Sequence, residues 1–288
     1  MFKKVAIIGP GLIGGSMGMA LRRGGLADEV VGVGRRQVSL DQALRVGAID
    51  SATLDLAAGL GCAELVVLAT PIGSFAAIAP QAAAAMAPGA VFTDVASAKV
   101  SIIESIAAAL ASRPDVAYVP SHPMAGSEQT GPLAASADLF GGSVCILTPV
   151  DGTPPEALAA VERMWQSFGA ELVRMTPAAH DRLVARISHV PHIAAAALMS
   201  IVAEETMHYC GGGLQDTTRI AASSPDLWMD IYAANRREIQ EAIGQYIEGL
   251  RRMTAALERD DRDALREELA AAQRKRNTLS DMLRQRNP

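Results

Sequence analysis

The strongest constraint on this chain is the run Gly9-Pro10-Gly11-Leu12-Ile13-Gly14. It directly follows the apolar residues Val5-Ala6-Ile7-Ile8 and directly opens a helical stretch over residues 12–23. On its own the GxGxxG pattern says little; set between a strand and a helix it is the signature of a dinucleotide site. Gly9 allows the tight turn, Gly11 lets the backbone approach a pyrophosphate, and Gly14 lets helix and strand pack closely. Leu12 and Ile13 start the helix, whose N-terminal N–H groups and partial positive charge favour phosphate.

At about 150 residues per domain, 288 residues make roughly two domains. Short β-rich runs at 5–8, 29–33, 64–69, 90–93, 116–119, 143–147 and 171–174 alternate with helical stretches such as 12–23, 39–46 and 154–168. Ser39 is placed to cap the helix over 39–46 and Gly47 to stop it. A run that is apolar at every position, such as 5–8, fits a strand buried on both faces of a parallel sheet. The alternation predicts a doubly wound α/β sheet. After Thr176-Pro177 the strand-like runs stop. Helical stretches then cover 180–209, 227–258 and 261–284, with Gly211-Gly212-Gly213 breaking the first from the second. We therefore expect a dinucleotide-binding domain over residues 1–176 and an all-helical domain over 177–288. Alanines at 194–197 permit close helix packing, which suits a helical domain that joins two copies into a homodimer.

Composition narrows the function classes. Half of the residues are apolar and 20% are charged, ample material for a buried core. Lys and Arg number 26 against 31 Asp and Glu, a net charge of −5, which argues against a nucleic-acid partner. Cys62, Cys145 and Cys210 lie far apart and form no CxxC pair. That excludes a disulfide framework or zinc knuckle and fits a reducing cytoplasm. The apolar run after Met1-Phe2-Lys3-Lys4 is too short for a signal peptide. The longest apolar stretch, residues 193–203, is about half of what a membrane span needs. The expectation is a cytoplasmic protein with no membrane partner.

The end of the second strand bears on the choice of dinucleotide. An NAD site usually places an acid there for the ribose hydroxyls. Here the chain reads Gly32-Val33-Gly34-Arg35-Arg36, with no acid. Arg35 and Arg36 stand where a 2′-phosphate would lie, and guanidinium suits phosphate by its forked geometry. The cofactor is NADP or NAD, with NADP accepted.

Four of the five histidines sit in dense local contexts: Ser121-His122-Pro123-Met124-Ala125-Gly126-Ser127-Glu128, His180-Asp181-Arg182, and Ile187-Ser188-His189-Val190-Pro191-His192. With these, the glycine loop, Thr70-Pro71-Ile72, Asp94-Val95-Ala96-Ser97-Ala98-Lys99 and Asp216-Thr217-Thr218-Arg219 occur in an order that resembles the prephenate/arogenate dehydrogenase family of tyrosine biosynthesis. The blocks spread from about residue 5 to about residue 235. The resemblance implies a Rossmann domain followed by a helical dimerisation domain. It implies oxidative decarboxylation of a cyclohexadienyl dicarboxylate, with hydride passing from ring C4 to the nicotinamide while the 4-hydroxyl loses a proton and CO2 departs.

It also implies roles. His122 matches the family's catalytic histidine, and an imidazole suits proton abstraction near neutrality. Ser97 matches the family's serine and would bond the substrate hydroxyl and His122. Arg219 matches the substrate-binding arginine, a natural clamp for the ring carboxylate. Asp216 would orient it. His192 matches a histidine of prephenate-preferring members and would bond the pyruvyl side chain. Ser127 and Glu128 would contact the side chain or the cofactor. Thr70 and Pro71 fall with the cofactor-binding set. His189, grouped with the substrate-binding set, and His180 match histidines that tie helices to the site. His189 and His192 are not expected to hold a metal, because Pro191 lies between them and no cysteine is near. Trp228 reads as core and Asp94 equally well as a helix cap.

A mutase or regulatory domain of the family does not fit in 288 residues, so feedback by tyrosine is expected to compete at the active site. Two other classes stay open. A 3-hydroxyacid-type dehydrogenase would use a lysine on the helical domain, yet residues 176–274 contain none. A non-catalytic NADP-sensing protein would need no base, serine and arginine beside the nicotinamide.

Overall fold

The computed structural model describes residues 1–127 and 129–286 of the chain. They fall into two compact units, Met1–Arg236 and Arg237–Pro288. The first unit carries eight strands: β1 (Phe2–Ile8), β2 (Ala27–Val33), β3 (Ser51–Thr53), β4 (Leu65–Leu68), β5 (Val91–Asp94), β6 (Ala117–Pro123), β7 (Val144–Leu147) and β8 (Glu171–Arg174). They form one sheet in the order β3-β2-β1-β4-β5-β6-β7-β8, the doubly wound order extended by two strands. Every neighbouring pair is parallel except β6 and β7. The helices between them are α1 (Leu12–Arg23), α2 (Gln37–Arg45), α3 (Leu56–Leu60), α4 (Phe75–Ala85), α5 (Val100–Leu110) and α6 (Pro155–Ser167).

The strand period of two sorts the core onto two faces. Val5, Ile7, Leu65 and Val67 pack in one cluster with Met17, Leu21, Leu40 and Trp165. Ala6, Ile8, Val66 and Leu68 pack in another with Phe75, Phe92 and Ile102. Residues apolar at every position are thus used on both sides, as a central parallel strand requires. Glycine sets the spacing beneath α1: a Cβ at Gly18 would lie 2.0 Å from the Ala48 carbonyl oxygen.

Beyond β8, Thr176 accepts from the Ala179 amide and Pro177 takes the first helical turn, so the chain enters α7 (Pro177–Val184). A π turn (Ala185–His189) leads into α8 (Val190–Ser200). After a 3-10 stretch (Glu204–Tyr209) come α9 (Gly212–Thr218), a 3-10 turn (Arg219–Ala222) and α10 (Pro225–Ala234). The helical run Pro177–Ser200 has the length and mean hydropathy of a membrane-crossing segment. Its His180, Asp181, His189 and His192 are nevertheless buried in the fold. The second unit is made by α11 (Arg236–Glu258) and α12 (Arg262–Arg286). There Asp261 caps α12 through the Ala264 amide, and Arg252 pairs with Glu268 at 2.7 Å.

Five local expectations are corrected. Strand β3, the polar triplet Ser-Ala-Thr, has no apolar run to announce it. Ser39 caps nothing, because α2 already starts at Gln37 with Arg36 in the cap position. Strand β6 runs on through His122, despite Pro120 and Pro123. Pro120 closes the ladder with β5, and Pro123 closes the antiparallel pairing with β7. The stretch over 227–258 is two helices, broken at Asn235, whose side-chain amide donates to the Asp181 carbonyl at 2.9 Å. The triple glycine opens α9, with Gly211 as its cap residue, while the preceding α-helix has already ended at Ser200.

Substituting Gly18→Ala is expected to lower the free energy of unfolding by roughly 1–3 kcal/mol, because the obstacle is backbone and cannot swing aside. Denaturant midpoints of the two proteins test this; equal midpoints would mean that α1 does not sit as tightly as described.

Candidate active site

Parallel strands end together, so the loops after β1, β2, β4, β5 and β6 line one edge of the sheet. The first of them is a cradle. Gly9 holds φ +89°, and a Cβ there would lie 2.8 Å from the Thr70 side chain. A Cβ at Gly14 would lie 2.4 Å from the Gly9 carbonyl oxygen. At Gly11 a Cβ would meet nothing within 4 Å, so this face of the turn is open. The first turn of α1, with Leu12 and Ile13, carries no acid and no side-chain cap, which leaves its amides and positive end for an anion. These residues fit the pyrophosphate of a dinucleotide. The Ser74 hydroxyl lies 2.7 Å from both Thr70 Oγ1 and the Pro71 carbonyl, which closes the neighbouring turn. The Gly73 amide donates to Asp230 of α10 at 3.1 Å. Arg35 and Arg36 are exposed beyond β2.

Below the next two loops lies a buried polar cluster. Asp94, at the end of β5, is fully buried and caps no helix, so the cap reading of this residue is set aside. Its Oδ1 accepts from Lys99 Nζ at 2.6 Å and from the Ala96 amide at 2.8 Å. Its Oδ2 accepts from the Tyr118 hydroxyl at 2.7 Å. Burial, then the nearby Asp94 charge, raises the Tyr118 phenol well above its usual range, so it remains a donor. Lys99 Nζ also donates to the Ser121 carbonyl at 2.6 Å, and the fully buried ammonium is held inside the turn that carries Ser97. Ser97 is half-buried.

His122 follows on β6. Its Nδ1 lies 2.8 Å from His180 Nε2, and His180 Nδ1 lies 2.7 Å from Asp181 Oδ1. The nitrogen partner of His122 is thus His180 and not Ser97. Asp181 also accepts from the amides of Lys99 and Val100, at 2.8 and 2.9 Å, capping α5 from another part of the chain. Burial, followed by the fields of His180, Lys99 and His189, holds His122 well below the usual imidazole range. Burial likewise lowers His180, against the opposing hydrogen bond of Asp181. Burial takes His189 to about 4 and also lowers His192.

The helical side presents a second group. The ring of His192 stacks on Trp228 with centroids 3.7 Å apart, and Trp228 also packs against the core cluster that contains Phe75 and Ile231, so it is core and ring partner at once. His192 Nδ1 bonds the Tyr232 hydroxyl, while His192 Nε2 is buried with no protein partner among the described residues. His189 Nδ1 lies 3.3 Å from the Asn235 amide, and its ring meets the edge of Trp228. Arg219 is exposed, at the start of the 3-10 turn that packs against α8. Ser127 is on the exposed loop after β6 and accepts from the Gln129 amide. Glu128 lies outside the described residues. The sequence by itself does not single out Lys99, Asp181, Trp228 or Tyr232 as site residues. Only the adjacency of His180 and Asp181 hinted at the first buried network, and nothing local marks Tyr232 as the partner of a histidine 40 residues earlier.

A dinucleotide cradle and a buried neutral imidazole on one sheet edge define a nicotinamide-dependent oxidoreductase. The comparisons narrow this. A family model for the prephenate dehydrogenase nucleotide-binding domain matches residues 17–174, and one for the prephenate dehydrogenase dimerization domain matches residues 176–271. The chain is 33% identical over 286 residues to the cyclohexadienyl dehydrogenase of Zymomonas mobilis, covering 97% of each. Prephenate dehydrogenase from A. aeolicus, solved with hydroxyphenyl propionate and NAD+, aligns with a TM-score of 0.89 and 30% identity over 97% of this chain and 99% of that one. Synechocystis arogenate dehydrogenase aligns with a TM-score of 0.81 and 28% identity over 96% and 99%. The chain belongs to the prephenate dehydrogenase family.

The lowered histidines make stability depend on pH. Below about 6.5 the unfolded chain binds protons that the folded chain refuses, so stability is lost as pH falls. Each such group contributes a slope of up to about 1.4 kcal/mol per pH unit. His189→Gln is expected to remove about one proton's worth of that slope between pH 6.5 and 4. Denaturant midpoints across that range measure it, and parallel curves for the two proteins would contradict a neutral buried His189.

Proposed function

We propose that this enzyme oxidatively decarboxylates a cyclohexadienyl dicarboxylate in tyrosine biosynthesis, prephenate in preference to arogenate. The observation that carries this reading is His122, kept neutral by burial and bonded through one ring nitrogen to His180, at the edge that bears the dinucleotide cradle. NAD(P)+, held by Gly9, Gly11, Gly14 and the first turn of α1, with Thr70 and Pro71 on the adjoining loop, supplies the hydride acceptor when bound. His122 takes the proton of the substrate's 4-hydroxyl. Ser97 orients that hydroxyl, and Arg219 clamps the ring carboxylate. Loss of CO2 makes the ring aromatic, and the phenolate oxygen takes its proton back from His122, which regenerates the base.

The preference for prephenate rests on His192. Burial raises the Tyr232 phenol to about 12, so it stays protonated and donates to Nδ1. A neutral His192 then carries its proton on the unpartnered Nε2. That N–H matches a keto oxygen; an ammonium group offers only donors. Arg35 and Arg36 support NADP alongside NAD. Lysine chemistry of the 3-hydroxyacid type finds no support, because the Lys99 ammonium is buried and already paired with Asp94 and Ser121. The functional domains are residues 1–176 and 177–288. The enzyme works as a cytoplasmic homodimer, a reading supported by the dimerization-domain match and by exposed apolar residues such as Ile201 and Tyr209.

Steady-state kinetics with prephenate and arogenate, each against NAD and NADP, test the assignment directly. His122→Asn is expected to lower kcat by about 10²–10⁴-fold while cofactor affinity holds. Undiminished turnover would refute the base. Replacing Arg35 and Arg36 with Ala is expected to cut kcat/KM for NADP relative to NAD by about tenfold to a hundredfold. An unchanged ratio would show that the arginines do not read the 2′-phosphate.

A further inference from the structure

We propose that His180 and Asp181 form a positioning pair that keeps the proton of His122 on Nδ1, so that Nε2 faces the cleft as a bare lone pair. This rests on the reading of His122 as the base. Asp181 accepts the amides of Lys99 and Val100, so its oxygens act as acceptors here. His180 Nδ1, 2.7 Å from Asp181 Oδ1, must then carry a hydrogen. A neutral His180 is left with a bare Nε2, which can only accept. His122 Nδ1 lies 2.8 Å from that nitrogen and must donate to it. The one proton of a neutral His122 is thereby placed, and Nε2 is free.

The alternative proton arrangement is costly. If His180 donated to His122 while still donating to Asp181, it would be an imidazolium with no accessible surface, and charge in that position is heavily penalised. The pair is also rigid. His180 and Asp181 are neighbours on α7, and the carboxylate is fixed across the first amides of α5, where the helix end favours negative charge. An imidazole in water keeps its proton mostly on Nε2, the wrong nitrogen for a base facing outward. The pair reverses that preference. When the substrate hydroxyl gives its proton to Nε2, His122 becomes an imidazolium and its Nδ1–H still points at His180. Asp181 stabilises the new charge through the intervening ring, and no proton moves further.

The test separates this pair from the catalytic reading. Enzyme labelled with ¹⁵N in its five histidines is examined at pH 7 by two-bond ¹H–¹⁵N correlation, with His122→Asn to assign the signals. The wild type is expected to show His122 protonated on Nδ1. In His180→Phe, which keeps a flat ring without a nitrogen, the proton should move to Nε2, with kcat lower by on the order of 10²-fold or more and KM little changed. In His180→Gln the amide oxygen still accepts, so the Nδ1 proton and most of kcat should return. A wild-type proton on Nε2, or a tautomer indifferent to His180→Phe, overturns the proposal; the wild-type spectrum decides even if that variant fails to fold. A tautomer that moves while kcat holds upholds the pair and rejects His122 as the base.

Discussion

One carboxylate carries an unusual share of this architecture. Asp181 sits at the head of α5, accepts two of its first amides, and accepts from His180 with the same group. A helix N-terminus offers unpaired N–H groups and a partial positive charge, and here the partner comes from a residue 81 positions away in sequence. The contact therefore does two things at once. It fastens α7 to the head of α5, and it fixes His180 where it meets His122. Asn235 reinforces the joint by donating to the Asp181 main chain, and Ser101 of α5 donates to the Ala234 carbonyl from the other side.

The buried pair of Lys99 and Asp94 works beneath the same site. Burying two charges is expensive, and such pairs are weak evidence for stability. Its use here is positional. Lys99 ties the loop after β5 to the Ser121 carbonyl of β6, so the turn carrying Ser97 and the strand carrying His122 are held by one ammonium group. That ammonium also opposes a positive charge on His122, adding to burial and His180 in keeping the imidazole neutral. Helix α10 does the matching work on the other side. Trp228 stacks on His192, Tyr232 bonds it, and Asp230 takes the Gly73 amide of the loop beside Thr70. Three residues of one short helix thus connect the loop beside Thr70 with the ring of His192.

The legible parts of the chain were those with a local signature. The glycine turn, the all-apolar strands and the loss of strand pattern after Thr176 follow from steric room, from period and from composition, and each can be read within a short window. The same holds for His122, whose block stands out residue by residue. The misread parts were those in which a distant partner overrode the local pattern. Asn235 interrupts what reads as one long helix because its amide is needed at Asp181. Pro120 and Pro123 argue against a strand, yet β6 passes through both, because each stands where a ladder with a different neighbour ends.

Sequence alone determined the type of sheet, the dinucleotide cradle and the list of histidines available for chemistry. These depend on backbone freedom at glycine and on hydrophobic period, both of which act over a few residues. Tertiary structure decided which nitrogen partner each histidine has, that Asp94 and Lys99 are buried together, and that Trp228 and Tyr232 belong with His192. Those outcomes depend on burial and on hydrogen-bond partners 40 or more residues apart, such as His122 with His180 and His192 with Tyr232, which only the packing of helices against the sheet edge can bring within reach.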